Sequence, residues 1–73
     1  MPKIPSLSPK KVVGKLTKLE FYRQRQKGSH IIYINPKTNK RAVVPFHLKD
    51  IPKGTLSALL REAGISREEF LNA

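Results

Sequence analysis

The chain has 73 residues, and its 15 Lys and Arg outnumber five Asp and Glu to give a net charge of +10. A chain of this length forms one domain and hides only ~60% of the surface its unfolded form exposes, so the core must be small. The absence of cysteine excludes a disulfide framework and a thiolate metal site, and no apolar run approaches the ~20 residues of a membrane span.

Residues 1–7 contain two prolines and no apolar periodicity, and are expected to form a flexible arm ahead of a single domain over residues 8–73. The opening stretch MPKIPSLSPKK lacks the apolar centre of a secretion signal, so the expectation is a soluble protein of the cytoplasm. Ser8-Pro9 reads as a helix start, because serine caps free amides and proline fits the first helical position. Val12, Leu16 and Leu19 follow at helical spacing with Val13 beside them, while Lys10, Lys11, Lys15 and Lys18 fall largely on the other side. Gly14 inside this helix costs roughly 1 kcal/mol. The helix is expected to fade near Leu19 or Glu20.

Phe21 to Gln26 is a short strand candidate with Arg23 and Arg25 at alternate positions. Lys27-Gly28-Ser29 makes a turn, and His30 to Asn35 is a strand rich in β-branched residues. Pro36 to Asn39 is a hairpin loop, in which Asn39 tolerates positive φ. Arg41 to Phe46 returns, and Pro45, which cannot donate to a ladder, puts this strand at an edge or ends it. After a loop over residues 47–53, Thr55 to Ala63 carries Leu56, Leu59, Leu60 and Ala63 at helical spacing, with Gly64 as the stop. Ser66 and Glu69 form a capping-box pair for a last short helix through Leu71. The order is α-β-β-β-α with a small terminal helix. The fold class is therefore α+β, a three-stranded antiparallel sheet packed on helices, with its other face open to solvent for a ligand.

Thirteen of the basic residues but only two acidic ones lie within residues 1–53. That concentration implies an anionic partner, with nucleic acid the first candidate. A membrane surface is disfavoured, since no long basic amphipathic helix is present. An acidic protein partner, or merely a basic solvated surface, stays open. If Asn35 pairs with Lys40, His30 lies opposite Pro45 and His47 comes two residues further on the same face. Diagonal neighbours of this kind are ~7–8 Å apart. Ile31 and Tyr33 then point toward the helices.

Imidazole exchanges a proton near neutral pH. RNA carries its own nucleophile, the 2′-hydroxyl beside each phosphodiester. Cleaving it requires a base for that hydroxyl, an acid for the leaving oxygen, and cations for the charge on phosphorus. His30 fits the base, with Arg23, Arg25 or Lys27 as cations, and no metal or other cofactor is needed. Asp50 is the only aspartate, and no carboxylate pair lies near the histidines in sequence. The plain alternative is that His30 is a solvated surface side chain and that His47 merely ends a strand. Lys53-Gly54-Thr55 is either an ordinary helix start or a phosphate site at free amides. Tyr22, Tyr33 and Phe46 are suited to stacking on bases, but a core this small is expected to claim most of them.

Taken in order, Gly28-Ser29-His30, the Ile31–Tyr33 strand, Val43-Val44-Pro45-Phe46-His47, Lys53-Gly54-Thr55-Leu56, Leu59-Leu60 and Ala63-Gly64-Ile65 resemble the HicA family. These are small toxins of type II toxin–antitoxin pairs, and the resemblance covers about residues 7 to 73. It implies a fold like the double-stranded-RNA-binding domain and an mRNA interferase, a metal-independent ribonuclease. It places the family's catalytic histidine at His30, with Gly28 and Ser29 shaping the turn that presents it. Arg23, Arg25, Lys27, Lys53 and Thr55 would hold RNA, and an antitoxin resembling HicB would cover the histidine. The chain departs from the family pattern at Glu20, where a glycine usually precedes the aromatic, and in the prolines and lysines before Ser8. A non-catalytic RNA-binding module of the same fold, or a domain whose basic face meets an acidic protein, are the rival readings.

Overall fold

The computed structural model describes residues 6–73. Helix α1 spans Pro9–Lys18. Its first turn is closed by Ser8, whose Oγ accepts from the Lys11 amide at 3.3 Å, and Pro9 occupies the position where no N–H is needed. Val12 and Leu16 are fully buried. Strands β1 (Tyr22–Lys27), β2 (His30–Asn35) and β3 (Lys40–Pro45) follow, then α2 (Lys53–Ala63) and α3 (Arg67–Leu71). The sheet is antiparallel in the order β1-β2-β3. This is the α-β-β-β-α arrangement expected, with the short helix at the end. No helix among the described residues is long and apolar enough to cross a membrane.

Two helices end in the same way, and the comparison explains the departure at Glu20. At the end of α1 the Phe21 amide donates to the Leu16 carbonyl at 2.9 Å and the Glu20 amide to the Thr17 carbonyl at 3.1 Å. At the end of α2 the Ile65 amide donates to Leu60 at 3.0 Å and the Gly64 amide to Arg61 at 3.2 Å. These are paired bonds of left-handed caps, which place one residue at positive φ and bring the next apolar side chain back onto the helix. Gly64 and Glu20 both have φ of 70°. Glycine adopts that backbone freely, whereas a Cβ costs about 1–2 kcal/mol there. Glu20 occupies it nonetheless, and its carboxylate receives the Lys37 ammonium at 2.9 and 3.0 Å. That hydrogen bond, and then the carboxylate charge, raise Lys37 above its ordinary value.

The core joins α1, β2, β3, α2 and α3. Val12, Leu16, Phe21, Ile31, Tyr33, Ala42, Val44, Ile51, Leu56, Leu59, Leu60, Ala63 and Phe70 form one buried cluster. Alternation along β2 sends Ile31 and Tyr33 into it, opposite Val44 and Ala42. Strand β1 contributes nothing, since all six of its residues are exposed. Helix α3 starts at the expected capping box, with Ser66 and Glu69 exchanging bonds of 3.1 Å. Lys15 ties it to α1, donating to the main-chain oxygens of Leu71 and Ala73 and sitting 5.5 Å from the Phe70 ring centre.

Three expectations change. Residues 1–5 of the expected arm lie outside the described residues, but Ser6 and Leu7 are not loose. Ser6 Oγ donates to the Ile51 carbonyl at 3.0 Å, and the Ile51 amide donates to Leu7 at 2.7 Å. The loop before α2 thus offers Leu7 a strand-like partner. Helix α2 begins at Lys53 rather than Thr55, with Pro52 at its cap position, since proline there needs no N–H bond. Of Tyr22, Tyr33 and Phe46, only Tyr33 enters the core. Tyr22 is 54% and Phe46 37% exposed, and Tyr22 pairs with Ile34, which points away from the helices.

The backbone angles give opposite expectations at two positions. Gly14 is helical and an added Cβ there meets no atom within 4 Å, so alanine at 14 stabilises over glycine by about 1 kcal/mol. At residue 20 the order reverses, and Glu20→Gly is more stable than Glu20→Ala by about 1 kcal/mol. Each difference moves the thermal midpoint by roughly 4–8 °C, which calorimetry on the four chains measures.

Candidate active site

The turn between β1 and β2 needs a residue at positive φ in its first central position, and Gly28 supplies it with φ of 60°. Ser29 follows at negative φ, the pattern of a type II′ hairpin. The turn closes on the pair Lys27 and His30. At the far end of β2, Asn35 sets the next turn. Its Oδ1 accepts from the Lys37 amide at 2.9 Å and its carbonyl from the Asn39 amide at 2.8 Å. Asn39 takes φ of 59°, as its residue type allows.

These two turns fix the register, and Asn35 pairs with Lys40 and His30 with Pro45. The even residues of β2 therefore face away from the helices. Three rows cross the open face of the sheet. They are Tyr22, Ile34 and Arg41; then Arg25, Ile32 and Val43; then Lys27, His30 and Pro45. None of these nine residues is acidic. The side chains of Arg25, Lys27 and Arg41 form no hydrogen bond or ion pair with any described residue.

Beyond Pro45 the chain stays attached to the β1–β2 turn. The Phe46 amide donates to the Ser29 carbonyl at 2.8 Å, and Ser29 Oγ lies 3.1 Å from His47 Nδ1. Ser29 thus holds the segment by its backbone and the His47 ring by its side chain. The result is that the two histidines of the chain meet. Their ring centres are 5.4 Å apart, with the planes tilted by 59°. Both residues are exposed.

Of the residues singled out in the sequence, Gly28, Ser29, His30, His47, Arg25 and Lys27 come together at this end of the open face. Arg23 does not. The pairing shifts between Arg23, opposite Tyr33, and Arg25, opposite Ile32. This bulge leaves Gln24 as the extra residue, so the two arginines, alternate in sequence, lie on opposite faces. Arg23 instead donates to Gln26 Oε1 at 2.7 Å. Lys53 and Thr55 sit exposed in the first turn of α2, and their side chains form no bond to the histidine pair. Tyr22 and Arg41 were not grouped with the histidines from sequence. The register of β2 with its neighbours is the signal that places them. Among the described residues, no three of His, Cys, Asp and Glu gather where a metal ion could be held.

A family model described as the HicA toxin of bacterial toxin–antitoxin systems matches residues 9–65. The chain belongs to the HicA toxin family. It is the toxin side of a toxin–antitoxin pair, and an antitoxin partner is implied. The match spans α1 through the cap of α2 and includes both histidines and the whole open face. No curated protein sequence matches the chain.

Ser29→Ala tests whether the serine holds the second imidazole. The side chain is exposed, so the loss of one hydrogen bond costs about 0.5–1.5 kcal/mol. In heteronuclear NMR the proton contacts between the His30 and His47 rings should weaken. Undiminished contacts would mean that the ring is held by something else.

Proposed function

We propose that this HicA toxin is an endoribonuclease that cleaves messenger RNA in the cytoplasm without a metal ion. The observation that carries the reading is the pair of exposed imidazoles, 5.4 Å apart, at the end of a cationic sheet face. Two imidazoles supply what transesterification of RNA needs. His30 takes the proton of a 2′-hydroxyl as that oxygen bonds to phosphorus. The bond from phosphorus to the 5′-oxygen breaks, and a protonated His47 gives its proton to the leaving oxygen. The products are a 2′,3′-cyclic phosphate and a 5′-hydroxyl end. Lys27, directly across from His30, and Arg25, one row away, face the negative charge on phosphorus.

Gly28 and Ser29 act by shape. The glycine lets the hairpin turn immediately before His30, and the serine keeps His47 beside it. An antitoxin resembling HicB would silence the toxin by covering this end of the sheet, and acidic residues on it would match the charge. Lys53 and Thr55 are proposed as outlying phosphate contacts at the start of α2, and Arg23 as one on the helix-side face.

The test is cleavage of purified RNA with EDTA present. The wild-type chain should cut, and His30→Ala should lower the rate by about 10²-fold or more. A 2′-deoxy sugar at the cut nucleotide should block the reaction. In growing cells, His30→Ala should relieve the arrest that the wild-type chain causes. Equal cleavage and equal arrest from both chains would remove His30 from the mechanism. Binding of RNA by the wild type with no cleavage would instead favour a non-catalytic RNA-binding module.

A further inference from the structure

Away from the histidines, the open face carries a second group of residues, of which the cleavage chemistry uses only Arg25. Tyr22 and Arg41 flank Ile34 across the sheet, and Arg25 lies in the adjacent row. Tyr22 is 54% exposed. Large aromatics in so small a domain are valuable to the core, yet this one lies on solvent. Gln24, Arg25, Ile34, Asn39 and Arg41 line a shallow depression of about 510 Å³, and neither histidine borders it. Its two guanidiniums have no partner among the described residues. Glu62 shares an adjoining depression with Arg41 and forms no ion pair with it.

We infer that this group is a subsite for a nucleotide of single-stranded RNA that flanks the one being cut. The base stacks on Tyr22 beside Ile34, and Arg25 and Arg41 take the phosphates. Ile34 is four residues along β2 from His30, or roughly 13 Å. That is several times the ~3.4 Å step of stacked nucleotides, so the subsite holds a flanking residue and not the scissile one. An aromatic ring among cations on a sheet face is the usual arrangement for unpaired bases, because every base has a face to stack. A duplex offers no such face. An acidic peptide would satisfy the arginines but leave the tyrosine and isoleucine without a matching surface.

The inference takes its ligand from the RNA-cleavage reading, so it is tested with cleavage switched off. In the His30→Ala chain, binding of a short single-stranded RNA is measured by fluorescence anisotropy at several salt concentrations. Tyr22→Ala should weaken binding about tenfold, and Tyr22→Phe should restore it. Arg41→Gln should weaken binding and reduce the salt slope by about 1, more than Lys10→Gln on α1 does. Equal effects of Arg41→Gln and Lys10→Gln, or unchanged binding in Tyr22→Ala, would overturn the subsite even if the wild type cleaves RNA. Dependence on Tyr22 and Arg41 in binding would uphold it even if no cleavage occurs. Loss of antitoxin binding with RNA binding intact would overturn it in favour of a protein surface.

Discussion

Asn35 pairs with Lys40, and that single pairing decides which residues share the solvent face of the sheet. Side chains alternate along a strand, so a slip of one residue exchanges the two faces completely. In the observed register Ile31 and Tyr33 are buried while His30 emerges beside His47. After a slip of one, the histidine would be driven into the helices and two core residues into water. The register is held from both ends. Asn35 and Asn39 shape one turn, Gly28 the other, and the apolar residues between them leave one favourable choice of face.

The fold divides its residues between stability and the open face. Strand β1 adds no side chain to the core. Its contribution is a ladder for β2 and a platform of exposed polar and aromatic groups. The core is consequently made by β2, β3 and the helices, with Leu7 and Ile65 packed at its margin. The bond between Leu7 and Ile51 closes the loop that precedes α2. The cap at Glu20 shows the same division at one residue. The turn there must reverse the chain after α1 and return Phe21 to the core. It does so with a glutamate in a backbone suited to glycine, and the glutamate meets Lys37 from the β2–β3 loop.

Much of this is legible in the sequence, and the failures have definite causes. The helices, the capping box at Ser66, the edge position of Pro45 and the meeting of His30 with His47 follow from periodicity, cap chemistry and one assumed register. The opposite facing of Arg23 and Arg25 does not follow. A bulge depends on how the whole strand seats against its partner, and nothing in YRQRQK marks Gln24 as the extra residue. The docking of Leu7 on Ile51 was hidden for a similar reason, since a bridge across more than forty residues leaves no local pattern. The exposure of Tyr22 and Phe46 does not follow either, because composition says how many aromatics a core could use, but not which face of the sheet each one takes. The grouping of Arg41 with Tyr22 was accessible, because the register that pairs His30 with Pro45 also sets Arg41 across from Ile34.

A face with three unpartnered cations and no acid raises the energy of the folded chain. Like charges fixed on one surface repel, and the compact state holds them closer together than the unfolded one. Salt relieves this over a distance of about 8–10 Å at physiological strength. A bound polyanion relieves it more completely, because it sits within that distance of every row. Anything that binds the folded state alone also stabilises it by mass action. The free domain has a small core and carries this charge uncompensated. RNA or an acidic partner seated on the open face would add to stability as it occupies the site. Two such ligands would compete for the same cations, so an antitoxin on this face would displace RNA without any change of shape in the toxin.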